Sequence, residues 1–282
     1  MNNFFNIKRF GLVFRKDMME NWKRYTLMFL VMPGVITIVN TWTSYDHYDK
    51  LSKHPEYVSD LKIYLMGLSV LMYVIFGLIF SSTFMTPMNS KIKRLSYLII
   101  PSSNFEKYFT RFIIVTVGYT ISFIIALFIA ELLRVGIYSA MYPDLKIDFI
   151  KLAFYVNERM PNSFYFFSKE SYIIIACIYF LFQSLLVLGS TFWDKIAFVK
   201  TFISIILIII AYVYLCRGAM FLFYSDDYNL FLYIVHILAL KFGNTSTEVI
   251  ITSYICIMSF FTVVNWILTY FRLRESEIIK RL

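Results

Sequence analysis

Few ionisable residues in this chain stand where they could do chemistry. There is no G-x-x-x-x-G-K-S/T run to cradle phosphates on backbone amides, and no H-E-x-x-H pair to hold zinc. The histidines His47, His54 and His236 fall outside the predicted spans, and no buried Ser–His or paired-Asp arrangement for intramembrane proteolysis occurs. Cys177, Cys216 and Cys256 sit in or at the ends of apolar runs without metal-ligand spacing, so they read as small buried hydrophobes. The sequence therefore predicts no catalytic residue, no metal and no cofactor in this chain.

Three charged constellations remain. Glu131 is the only acid within a predicted span, and Arg134 follows three residues later. Intramembrane ionisable groups often mark a substrate or proton site. A local i,i+3 ion pair at the outer mouth of the span is the alternative, and the position near the span's end favours it. The second constellation is Lys91–Arg111, "KIKRLSYLIIPSSNFEKYFTR". Ile92, Leu95 and Ile99 share one helical face there, away from most of Lys91, Lys93 and Arg94. Pro101 must end that helix, because the residue before a proline avoids helical geometry. Ser103-Asn104-Phe105-Glu106 then reads as a capping box, S-x-x-E, opening a new helix through Lys107 and Arg111. The third constellation is N-terminal. Ile7, Phe10, Phe14, Met18 and Trp22 recur at spacings of three and four, and Lys8, Arg9, Arg15, Lys16, Asp17, Glu20 and Lys23 fill much of the rest. This pattern predicts an amphipathic helix lying on an anionic leaflet, or a simple topology anchor.

The elements that must position these groups are apolar. Of 282 residues, 59% are hydrophobic and 16% charged, well below the roughly 25% charged of a soluble domain. The reading is an all-α integral membrane protein: an N-terminal amphipathic interfacial helix over 1–24, six transmembrane helices, and a tail over 272–282. The spans are placed at 25–42, 63–85, 112–133, 171–193, 197–217 and 249–271. Pro33-Gly34 predicts a kink in the first. With the N-terminus cytoplasmic, inside segments hold 17 of the 27 cations and 6 of the 18 acids, net +11, and outside segments are net −2. This asymmetry places both termini inside. The basic balance thus reports topology and not nucleic-acid binding. Residues 139–170 form a long mixed outside segment. Residues 218–248 contain "YNLFLYIVHILAL", too short to cross and suited to a re-entrant or interfacial helix.

Lys93, Arg94, Leu98, Pro101, Ser102, Ser103, Glu106, Lys107 and Arg111, following a second span, resemble the pattern of ABC-2 type transporter permeases, in particular a bacterial six-span half-permease group. Thr110 departs mildly from the small residue that group carries before its arginine, and the 139–170 loop is longer than in its compact members. The resemblance implies a multi-pass protein of the bacterial cytoplasmic membrane. It makes Lys91, Lys93, Arg94, Pro101, Ser103, Glu106, Lys107 and Arg111 a coupling segment that fits a separate ABC ATPase subunit, with the N-terminal helix beside it. It also implies a second permease copy or paralogue, membrane lipids as surroundings, and export by alternating access driven by ATP hydrolysis on the other chain. The rival reading is a non-transporting polytopic anchor or sensor. A secondary transporter would place polar or broken helices at the midplane, where only Pro33-Gly34 and Gln183 offer themselves.

Overall fold

A computed structural model describes residues 5–53, 61–88, 91–145, 147, 149–150, 169–193, 196–223 and 247–279. Among these described residues eight α-helices run in order: α1 (Ile7–Lys53), α2 (Leu61–Ser81), α3 (Lys91–Leu98), α4 (Asn104–Ile113), α5 (Tyr119–Met141), α6 (Lys169–Phe192), α7 (Ala197–Phe223) and α8 (Thr247–Ile279). A single 3-10 turn, Thr86–Met88, follows α2, and a five-residue π turn, Ile114–Gly118, joins α4 to α5. The described residues contain no strand. Among the described residues six helices are long and apolar enough to cross a membrane, the third of them being Asn104–Met141 taken as one unit. Helices suit such runs because every backbone polar group is satisfied within the segment.

The expected boundary between an interfacial helix and the first span does not form. α1 is one unbroken helix of 47 residues, roughly 70 Å at 1.5 Å per residue against about 30 Å of hydrocarbon. Nothing between Trp22 and Tyr25 stops it, since Lys23 and Arg24 are good helix formers and no glycine, proline or cap intervenes. The helix also passes through Pro33, where Thr37 Oγ1 donates to the Pro33 carbonyl at 2.7 Å. α8 likewise runs past residue 271 to Ile279, into the expected tail. Of the expected 218–248 segment, residues 218–223 extend α7, Thr247 and Glu248 open α8, and 224–246 lie outside the described residues. So do 151–168 of the long loop and 280–282 of the tail.

α6 is the hub of the packing, with α8, α7 and α2 against it, while α1 packs along α5. The main core gathers Ile36 of α1, Phe80 of α2, Tyr119, Phe123 and Ala126 of α5, and Val187 of α6. The helices approach closely where α2 carries Gly77, because a Cβ there would overlap the rings of Tyr179 and Tyr119. The start of α1, the start of α4 and the last turns of α8 share one end of the bundle: Phe105 meets both Phe5 (6.2 Å between ring centroids) and Tyr270 (6.4 Å). At the opposite end Tyr48 of α1, Leu61 and Leu65 of α2, and Tyr138 of α5 form a second, smaller core.

Candidate functional site

The turn from α3 to α4 folds as the sequence predicts. Ser103 is extended (φ −69°, ψ 153°), its hydroxyl accepts from the Glu106 amide at 3.2 Å, and its own amide donates to Glu106 Oε2 at 3.0 Å. Both halves of the capping box are present. The Glu106 carboxylate does not end there. The Asn6 amide donates to Oε1 at 2.7 Å, and the Arg9 guanidinium forks onto both oxygens at 2.8–3.2 Å. Asn6 Oδ1 in turn accepts from the Lys8 amide at 3.0 Å, at the first turn of α1. One buried carboxylate thus sits at the N-termini of two parallel helices, where both macrodipoles favour negative charge.

A second tie lies further along the same pair. Arg111 is ion-paired to Asp17, both about 5% exposed. The Tyr25 hydroxyl donates to Asp17 Oδ2 at 2.9 Å and accepts from Arg111 Nη1 at 3.2 Å, and Asn21 Nδ2 donates to Asp17 Oδ1 at 3.1 Å. Apolar rings fill between the ties: Phe10 lies 5.7 Å from Phe109, which stacks on Phe105 at 5.6 Å. On its other flank α4 meets α8, where the Tyr108 hydroxyl donates to the Trp266 carbonyl at 3.0 Å. Burial by itself pushes the Glu106 carboxyl up, but the hydrogen bonds from Arg9, Asn6 and Ser103 outweigh it and hold it below its ordinary value. For Asp17 burial prevails over Arg111 and the Tyr25 and Asn21 hydrogen bonds, and its pKa lies above the ordinary value.

These contacts divide the candidate segment. Glu106, Lys107 and Arg111 are buried against the chain itself, and the Glu106 carboxylate serves α1 and the cap. Lys107 lies beneath the Tyr97 ring, Nζ 5.8 Å from the centroid. Arg94 turns back to the Met88 carbonyl at 2.9 Å, Lys91 and Lys93 open α3, and Pro101 stands in the turn. Three apolar side chains face outward: Ile92, Leu95 and Ile99 are 83%, 55% and 78% exposed. No local pattern points to Arg9, Asp17 and Tyr25 as partners of α4. The signal available was that Asp17 and Glu20 are the two acids of a predominantly basic helical stretch.

The Glu131–Arg134 pair forms as a bidentate i,i+3 bridge, at 2.9 and 2.6 Å. It is buried, not open at a mouth: Arg134 is 1% and Glu131 4% exposed. Arg134 Nη1 donates to the Tyr48 hydroxyl at 2.7 Å, and the Ile150 amide donates to Glu131 Oε1 at 2.9 Å. The pair therefore ties α5 to the far end of α1 and to the start of the loop beyond α5. Among the described residues no group of three or more His, Cys, Asp or Glu could hold a metal.

Among the described residues, which are helical without strands, six helices are long and apolar enough to cross a membrane, the pattern of a multi-pass helical membrane protein. Comparison with known protein families, characterised proteins and solved structures finds no match to it.

Proposed function

We propose that this chain is a permease subunit of the ABC-2 type, one half of an exporter whose ATP hydrolysis resides on a separate ATPase subunit. The resemblance over Lys93–Arg111 motivates the reading. One observation carries it: α3 turns Ile92, Leu95 and Ile99 to water on a short helix, while α4 beside it continues without a loop into the third span. An apolar cluster of this kind on the basic side of the bundle reads as a surface awaiting a partner. A push on α3 would reach α4 through Tyr97, whose hydroxyl donates to the Lys107 carbonyl at 3.3 Å, and then α1 through Glu106 and Arg111. In this reading the chain lies in a bacterial cytoplasmic membrane with both termini inside, and a second copy or paralogue completes the pathway.

The test is purification of the tagged chain from its native membranes. A nucleotide-hydrolysing subunit should co-purify, together with a second permease. Ile92→Ser, Leu95→Ser and Ile99→Ser combined should lower retention of that subunit at least tenfold with little change in Tm, because the three side chains are mostly exposed. Retention equal to the parent's removes α3 as the docking surface. If no such subunit accompanies the parent, the anchor or sensor reading replaces this one.

A further inference from the structure

A cavity of about 300 Å³ lies between the basic-side half of α1, the end of α2 and the start of the third span. This is at the lower end of the range for small-molecule sites, roughly 300–1,000 Å³. Met18, Phe29 and Met32 of α1, Phe80 of α2, and Ile114 and Gly118 of the π turn contribute to its wall. Four hydroxyl-bearing side chains also border it: Thr26 is exposed, and the other three have their hydrogen bonds elsewhere, Tyr25 to Asp17, Tyr119 to the Tyr73 carbonyl, and Ser122 to the Gly118 carbonyl. A polar ligand gains little from such groups, whereas an alkyl chain loses nothing there and leaves water. The π turn adds to the case, since wide turns within helices recur at functional sites.

The register of α1 says what the rest of the ligand is. Arg15, Trp22, Thr26 and Phe29 recur at spacings of seven, four and three, so they share one face. Thr26 and Phe29 line the cavity, while Trp22 and Arg15 continue the same face toward the basic end and are exposed. Apolar space, then an indole, then a guanidinium is the order of a phospholipid from acyl chain through interface to phosphate. We propose that this cavity binds one membrane phospholipid with an anionic headgroup, its acyl chain between α1 and the π turn and its phosphate at Arg15. The site lies beside the Asp17–Arg111–Tyr25 tie, so the lipid would brace the α1–α4 junction. This inference holds whether or not the chain transports anything.

The experiment uses the full chain in nanodiscs of phosphatidylcholine with a minor fraction of phosphatidylglycerol bearing a diazirine midway along one acyl chain. Illumination and peptide mapping should concentrate adducts in residues 18–32 and 114–122. Gly118→Leu should cut those adducts at least fivefold and leave adducts on α7 unchanged, because only the Ile113 carbonyl oxygen, at 3.8 Å, lies near a Cβ at that position. Ser122→Leu fills the same space from the next turn and gives the same reading should Gly118→Leu fold poorly. Arg15→Gln, on the exposed surface, should reduce the preference for phosphatidylglycerol over a phosphatidylcholine of the same chain at least threefold. Adducts spread evenly over α7 and α8, or undiminished labelling in both filling variants, overturn the site. An unchanged headgroup preference in Arg15→Gln overturns the anionic assignment.

Discussion

Glu106 accepts hydrogen bonds from the amides of Asn6 and Ser103 and from the Arg9 guanidinium, and none of its surface reaches water. Glu106→Gln keeps the shape and removes the charge, so it should cost about 1.5–3 kcal/mol, the range for hydrogen bonds to a charged group. The pH dependence has a defined sign. The folded-state pKa is depressed below 4.5, so the carboxylate's contribution is fully present above that pH and is lost as pH falls through the depressed value. The Tm gap between parent and Glu106→Gln should therefore be full at pH 6–7 and close progressively below about 4.5. A gap that stays constant to lower pH would mean that the charge is not what matters. Asp17 acts in the opposite sense: its pKa is raised above 3.8, so its burial opposes folding above that value and is relieved as pH falls through the raised one. At the other end of the bundle, Glu131→Gln strands Arg134 at 1% exposure, and breaking such a buried pair costs about 3–5 kcal/mol. Glu131→Gln with Arg134→Met should recover most of the lost Tm. Recovery of stability without recovery of activity would give the pair a part in transport.

α1 and α4 are two helices with one shared N-terminal anchor, which gives an element-scale expectation. Ser103→Ala removes the cap of α4 alone, at about 1 kcal/mol, and should raise amide exchange in residues 104–113 severalfold while α1 keeps its protection. Glu106→Gln should raise exchange over 7–17 and 104–113 together, because both helix starts lose the same anion. If α1 stays protected in Glu106→Gln, the rings of Phe10, Phe105 and Phe109 hold the junction and the carboxylate does not. The parts of this junction that the sequence disclosed are those encoded at helical spacing. The Ser103–Glu106 box and the Glu131–Arg134 bridge each join residues three apart, so the chain alone specifies them. Arg9–Glu106 and Asp17–Arg111 join residues more than ninety positions apart. Their pairing is set by how α1 lies along α4, which no local pattern contains. The six apolar runs were legible for the same local reason, whereas the fusion of the basic N-terminal helix with the first span was not. Hydropathy changes abruptly near residue 25, but helix propensity does not, and propensity decides whether a helix continues.

At the scale of the whole molecule, α1 is about twice as long as a bilayer core is thick, so it must project on at least one side. Its N-terminal part, up to Arg24, carries Lys8, Arg9, Arg15, Lys16, Lys23 and Arg24. Its far end, from Thr43 to Lys53, is polar with balanced charge, and Lys53 pairs with Asp49 at 2.8 Å. The helices α3 and α4, and the part of α8 that carries Arg272 and Arg274, lie on the same side as the start of α1, as the Phe5–Phe105–Tyr270 contacts require. A single orientation satisfies the positive-inside rule for all of these elements at once. The measurement is labelling of intact cells with an impermeant maleimide, in a background lacking Cys177, Cys216 and Cys256. Ser52→Cys, at the exposed far end of α1, should label from outside. Ile92→Cys, on the exposed face of α3, should label only after permeabilisation. The reverse pattern would put α3 outside the cell, away from cytoplasmic ATP. The apolar face of Ile92, Leu95 and Ile99 would then need a partner of another kind, and the ATPase-docking reading would fail with the topology.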